Sequence, residues 1–433
     1  MPTKKSEKEP MSDRNITVLA LGALPKAWGG GATHGLATGI FDLVDAINSL
    51  HMNVAAVLCA PDYRKKIGCI GATTVIGTSW SVLCAHAANH PLRTLRYAGL
   101  ALLFRWVFGM TPLSTFGRFL LYDYAFGKVK PDYVSAHTPG RAILAMYLSG
   151  IDRRRIIVRV HGIAGMDPNI RQAPAVRRQE RFCARQRFAA VTHISSMDRK
   201  QWQHYYGKWQ CRNEVILNGF RNEIFNANGT HPTNPATTQQ KDHAVQGSYR
   251  LHLATVASLK PHKGQLLVIR ALAAIDHKEK FQYICIGEGQ PDYRKRLLHE
   301  AHQNDVDLKM LGYLSQKDIA TILKQVDFMI LPSSSEGFGK VFLESIACGT
   351  PVIIPRTLPL AQETGILNDV NAIFLESIRI DDIRAVLGAL RKPVSSRKDV
   401  AGTVVGLTWE RAARAYVALI SSVDKTAMPH AST

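Results

Sequence analysis

The stretch LPSSSEGFGKVFLESIACGTPVIIP, Leu331 to Pro355, places Glu336 and Glu344 eight residues apart around the turn Gly337-Phe338-Gly339. A carboxylate is an acceptor only, so it is a poor phosphate ligand and a good partner for two neighbouring sugar hydroxyls. DFMILPS predicts a buried strand, SSSEGFG a loop at its carboxyl end, and KVFLESIAC a helix closed by Gly349 with Pro351 just beyond. In open α/β sheets ligands bind outside the carboxyl ends of strands. Free N–H groups and the helix dipole hold phosphate there. The two acids are therefore spaced to grip hydroxyls on either side of a diphosphate. The plainer alternative makes Glu336 an acid favoured by the dipole and Glu344 a solvated helix residue.

VASLKPHKGQLLVIRAL, Val256 to Leu272, repeats that layout. A strand ends at Ser258, the loop carries Lys260, His262 and Lys263, and Gly264 opens a helix. A lysine at that point can neutralise a phosphate as a mobile point charge; otherwise it belongs to a solvated basic loop. LGALPKAWGGGATHG follows the first predicted strand, and its glycines 29 to 31 allow backbone to approach a ligand. A G-x-G-x-x-G fingerprint fails there because His34 holds the place of the third glycine, GEGQPD at 287 fails likewise, and no phosphate-binding G-x-x-x-x-G-K-[ST] run exists. His137 in PDYVSAHTPG and His161 in VRVHGIAG each end a predicted strand on the ligand side of one sheet. A lone histidine is usually structural, but two at one sheet edge are placed for chemistry.

LRTLRYAGLALLFRWVFGM, Leu92 to Met110, joins a strongly apolar face to Arg93, Arg96, Arg105 and Trp106. It suits either an anionic membrane interface or a buried helix with peripheral arginines.

These motifs need a scaffold. A chain of 433 residues can fill two cores of about 200 residues each. Its net charge of +20 suits nucleic acid, anionic lipid or a phosphorylated substrate, and no nucleic-acid motif supports the first. Seven cysteines without a C-x-x-C pair read as scattered reduced thiols rather than a disulfide framework or zinc site. Residues 1–14 form a polar, lysine-rich lead unlike a signal peptide, and no uncharged run reaches the ~20 residues that span a bilayer.

Apolar runs alternate with helical patterns, which predicts an α/β chain with parallel sheets. Predicted strands in the first half are ITVLALG, NVAAVLC, DYVSAH, IIVRVHG and AAVTHIS; in the second, LHLATVAS, FQYICIG, DLKMLGY, DFMILPS and PVIIP. Between the halves, residues 228–248 are rich in Asn, Thr, Pro and Gln and read as a linker. The expected division is a first Rossmann-like domain over 15–227, a second over 249–407, and a terminal helix and tail over 408–433 that packs on the second domain or crosses back to the first.

Taken in order, VASLKPHKGQ, ICIGEGQPDYRKRL, LGYLSQKDIATIL and LPSSSEGFGKVFLESIACGTPVI resemble the retaining, nucleotide-sugar-dependent glycosyltransferases of group 1, with their E-x7-E pair and GT-B fold. GGG, KPDYVSAH, VHG and VILNGF resemble the first half more loosely. The resemblance implies two doubly wound Rossmann-like domains facing a cleft. It implies that Glu336 binds donor-sugar hydroxyls, Glu344 the nucleotide ribose, and Lys263 the diphosphate and the charge growing on the leaving group. It further implies that Gly30 and Gly31 offer N–H groups to the diphosphate, and that Gly337, Phe338, Gly339, Lys340 and Val341 surround sugar and phosphates. His137 matches an active-site histidine, and His161 is an acceptor-side candidate. No metal or cofactor is implied beyond the nucleotide-sugar donor.

Two positions depart from the pattern. Ser258 stands where many members carry arginine, which leaves more of the diphosphate to Lys263, shared with Lys260 or Lys340, and Asn371 stands where many carry glycine. The implied activity is transfer of a sugar, with retention, to a saccharide or lipid-linked acceptor in bacterial surface polysaccharide or glycolipid synthesis, on the cytoplasmic side at the inner membrane face. A nucleotide-sugar 2-epimerase on the same fold and a non-catalytic glycosyltransferase-like subunit are the rivals; donor hydrolysis separates them.

Overall fold

A computed structural model describes residues 15–30, 35–166, 173–228 and 250–427. The predicted lead, all of the predicted linker after Asn228, and Gly31 lie outside the described residues.

Eight strands build the first sheet: β1 (Ile16–Leu21), β2 (Val54–Ala60), β3 (Ile67–Ile70), β4 (Thr73–Gly77), β5 (Tyr133–Ala136), β6 (Ile156–Val160), β7 (Ala190–His193) and β8 (Arg212–Val215), in the order β3-β4-β2-β1-β5-β6-β7-β8. The second sheet has six: β9 (Leu251–Val256), β10 (Phe281–Ile286), β11 (Leu308–Gly312), β12 (Phe328–Ile330), β13 (Val352–Pro355) and β14 (Ala372–Leu375), in the order β11-β10-β9-β12-β13-β14. The central strands are mainly apolar and buried on both faces, as parallel sheets covered by helices require, and β6 also carries the buried Arg159. Each predicted strand is present.

The patterning missed four strands. β3 and β4 form an antiparallel hairpin at one edge, so the first sheet is not wholly parallel. β3 alternates exposed and half-buried residues because it is an edge strand. β8 is the polar run Arg-Asn-Glu-Val at the other edge, and β14 is only four residues long. None of these carries the apolar length of a central strand.

The last helix, Trp409–Ala427, crosses back to the first domain. Its Trp409, Ala413, Tyr416, Val417 and Ile420 join one core with Ile40 and Phe41 of helix Gly35–Ser49 and with Leu58 of β2. The crossing is pinned where Phe220 N–H donates to the Leu407 carbonyl and Trp409 N–H to the Phe220 carbonyl. The two domains are thus joined twice, before β9 and again at the crossing helix. Asn371, the departure noted above, is buried and structural. Its amide donates to the Ile366 carbonyl and Thr403 hydroxyl while its oxygen accepts from Asn368 N–H.

Candidate active site

The carboxyl ends of both sheets face one another across a cleft, and two chambers lie along it. The larger, about 400 Å³, is walled mainly by the second domain: Val256 to Ser258, Lys260, His262 and Lys263 after β9, Ile286 to Glu288 after β10, Tyr313 and Leu314 after β11, and Glu336, Gly339, Lys340, Val341 and Glu344. Trp28 and Thr38 close it from the first domain. The smaller, about 330 Å³, lies between His161 to Ala164, Met197, Asp198 and Gln201 of the first domain and Ser334 to Gly337 and Thr357 to Pro359 of the second. Glu336 lines both.

Sequence-distant residues meet here. Lys263 Nζ lies 2.6 Å from Glu336 Oε1, a pair 73 residues apart in sequence, both largely withdrawn from solvent. Lys263 is held by a short 3-10 turn, Pro261–Lys263, with Gly264 at φ 75° passing the chain into helix Gln265–Ala273. Helix Lys340–Ala347 begins at Gly339, also left-handed at φ 81°, and Gly339, Lys340 and Val341 line the larger chamber. Glu344, one turn in, is buried and takes Lys340 Nζ at 2.6 Å. The domains approach closely at Gly337, where an added Cβ would stand 2.9 Å from the His161 carbonyl oxygen.

Three expectations change in detail. Gly30 does not present its N–H to the chamber, because that group donates to the Pro25 carbonyl at 3.1 Å, and a side chain there would strike the Leu24 carbonyl. Lys340 is no spare cation for a diphosphate: it also reaches Asp42 Oδ2 at 3.5 Å, so its charge is committed to two carboxylates. His137, at 1 % exposure, lines neither chamber. It lies behind His161, with the two imidazoles 3.3 Å apart and sharing a hydrogen bond. His137 also bonds Ser135 Oγ, which bonds the Tyr416 hydroxyl of the crossing helix. Burial, then the nearby Arg159 and Arg141 cations, hold the His137 pKa well below the usual histidine range. Burial and Arg159, followed by His137 and Arg141, do the same for His161. Both imidazoles are therefore neutral at pH 7.

Sequence reasoning missed four charged residues. Asp42 is fully buried on helix Gly35–Ser49 and takes Arg221 Nε at 2.7 Å as well as Lys340, which gives a chain Glu344–Lys340–Asp42–Arg221 across both domains. Glu363 Oε1, in the second domain, accepts from the N–H groups of Ser196 and Met197 at the start of helix Ser196–Tyr206 in the first. Asp198, on that helix, is buried against the smaller chamber. Its Oδ2 bonds His193 Nδ1 at 3.0 Å while its Oδ1 has no partner among the described residues. The signal for Asp198 was faint: an acid three residues after Ser195 reads as an N-terminal helix residue and nothing more.

Three lysines and three glutamates line the larger chamber, so the chain's excess of positive charge does not reside there. Among the described residues no group of three or more His, Cys, Asp or Glu gathers as metal ligands do.

Two facing Rossmann-like domains with a cleft between their carboxyl edges define the GT-B architecture. HepE of Anabaena, solved in complex with UDP and glucose, superposes with a TM-score of 0.65 at 16% identity, covering 94% of this chain and 100% of that one. Residues 238–386 match the family described as glycosyl transferases group 1. An uncharacterized glycosyltransferase of Methanocaldococcus jannaschii is 31% identical over 173 residues, 37% of this chain and 48% of that protein. The D-inositol 3-phosphate glycosyltransferase of Corynebacterium glutamicum is 26% identical over 283 residues, 60% of this chain and 65% of that protein. The chain thus matches less than two thirds of the length of either relative.

Proposed function

We propose that this protein transfers a sugar from a nucleotide-diphosphate sugar to a saccharide or lipid-linked acceptor, with retention of anomeric configuration, in the synthesis of a bacterial surface polysaccharide or glycolipid. The observation that carries the reading is the position of Glu336. It stands at the junction of the two chambers, paired to Lys263, where a donor sugar would lie between its diphosphate and an acceptor.

In this reading the larger chamber takes the nucleotide. The apolar Val256, Ile286, Leu314 and Ile319 side chains suit a planar base, Glu344 takes the ribose hydroxyls, and the helix N-terminus at Gly339 to Val341 takes phosphate oxygens. Lys263 holds the leaving phosphate, and Lys260 on the open rim adds a weaker field. Glu336 accepts hydroxyls of the sugar. The acceptor hydroxyl enters on the leaving group's face. Its oxygen bonds to the anomeric carbon as the carbon–phosphate oxygen bond breaks, and its proton passes to the departing phosphate. No protein nucleophile is needed, and lysine and helix N–H groups supply the positive field without a required metal. His161 contacts the acceptor, and His137, one layer behind, positions it. The similar Corynebacterium protein is named a D-inositol 3-phosphate glycosyltransferase, and a phosphorylated polyol is the acceptor class this reading tests first. The reaction is placed on the cytoplasmic side, at the inner membrane face.

The test is a binding screen across nucleotide sugars, followed by NMR of the product's anomeric proton. The same configuration as the donor is expected; an inverted product would overturn the retaining step, and a 2-epimerised nucleotide sugar would establish the epimerase.

A further inference from the structure

We propose that the face built by helices Pro91–Phe108 and Ala173–Ala184 is a docking surface for an anionic lipid bilayer. The reading above asks only that a membrane be near; this inference names the surface that would meet it, and it stands on observations away from the cleft.

Helix Pro91–Phe108 is apolar on two sides. Tyr97, Ala101, Phe104 and Phe108, spaced by three and four residues, form the stripe that enters the core. Leu92, Leu95, Leu102, Leu103 and Trp106 form a second stripe, and it faces outward. Trp106 is 86 % exposed and Leu92 82 %. Trp80, at the start of the preceding helix, and Leu113, in the first turn of the next, are exposed as well. Single exposed apolar residues need no explanation, but a contiguous stripe of leucine and tryptophan does. It resolves the choice left open by sequence: the segment is a core helix and a surface helix at once.

Charge decides what covers it. No aspartate or glutamate occurs between Asp62 and Asp123, a span that holds seven lysines and arginines. Asp123 is itself buried, bonded to His86 and Tyr97, and reached by Arg93 Nη1 at 3.6 Å, so part of the Arg93 charge is balanced inside the fold. Exposed Arg93, Arg96 and Arg105 flank the apolar stripe. Helix Ala173–Ala184 adds exposed Arg178, whose Nε donates to the Val107 carbonyl at 2.9 Å and joins the two helices. A second copy of a chain carrying +20 would be repelled from such a face, whereas an anionic leaflet attracts it. Apolar residues with tryptophan entering the headgroup region and arginines at phosphate level are the two signals that together give stable, reversible attachment. Among the described residues no helix is long and apolar enough to cross a membrane, so the contact is one of lying on the bilayer. The far side of helix Ala173–Ala184 packs on Ala164–Met166, at the wall of the smaller chamber: Gly165 N–H donates to the Glu180 carboxylate at 3.2 Å. Helix Ala173–Ala184 thus lies between this face and the proposed acceptor site.

Co-sedimentation of the full chain with phosphatidylglycerol-containing vesicles tests this. The chain should pellet with them at about 0.1 M salt, not with pure phosphatidylcholine, and should be released toward 1 M salt as the screening length falls from about 10 to about 3 Å. Each arginine near the surface contributes about fivefold in partitioning. The variant Leu102→Ser/Leu103→Ser/Trp106→Ser, all at exposed positions, should lose more than tenfold in vesicle binding with an unchanged melting midpoint and unchanged nucleotide binding. Three results would overturn the proposal: a wild type that stays in the supernatant with anionic vesicles at low salt, a triple variant that binds like the wild type, or a concentration-dependent dimer that the triple variant abolishes. Loss of nucleotide-sugar binding by the wild type would instead count against the transferase reading alone.

Discussion

Replacing Lys263 with methionine should lower turnover at saturating donor by about 100- to 1000-fold, with the melting midpoint little changed. The size of the effect follows from what else is positive in the larger chamber. Lys340 is bound to Glu344 and Asp42, and Ser258 occupies a place where an arginine would have helped. Lys260 lines the chamber but is exposed, where water and salt screen it. Lys263 is withdrawn from solvent and fixed by Glu336, so its field is preorganised and weakly screened. A donor that strengthens only as charge develops on the leaving phosphate raises kcat rather than ground-state binding. Lys260→Met is the control and should cost far less. A Lys263→Met enzyme with near-normal kcat would remove the lysine from catalysis.

Glu344→Ala should weaken binding of a free nucleoside diphosphate by about 10- to 100-fold, and Glu336→Ala should leave it nearly intact. Two charge-assisted hydrogen bonds to vicinal ribose hydroxyls account for a loss of that size. Glu344 is buried inside helix Lys340–Ala347, on the nucleotide side of the cleft, whereas Glu336 lies on the loop at the chamber junction. The fold should tolerate Glu344→Ala, because Lys340 keeps Asp42 as a partner and is not left buried alone. Calorimetry with the free diphosphate, beside kinetics with the whole donor, separates the two roles. Equal losses for both variants would refute the division, and a loss confined to Glu336→Ala would reverse it.

The sequence by itself determined the architecture and the order of the second domain's parts. Alternating apolar runs and helical periods are local properties, and a strand, a loop and a helix N-terminus in succession place a ligand site wherever they occur. That Lys263, Glu336 and Glu344 line one chamber was legible for that reason: each lies within a few residues of such a junction. Edge strands escaped because β3 and β8 are half solvated and lack the apolar length of buried ones.

Only the tertiary structure decided what converges. Asp42 meets Lys340 across 298 residues, and Glu363 meets the start of helix Ser196–Tyr206 across 167. Nothing in the composition around either residue distinguishes it from a solvated surface acid. Likewise two strand-end histidines look equivalent in the sequence, yet one reaches the cleft and the other is enclosed behind it by Ser135 and the crossing helix. Pattern along a chain fixes which face of an element turns inward. It does not fix which other element that face will meet, and the side-chain chemistry of a cleft between domains depends on that meeting.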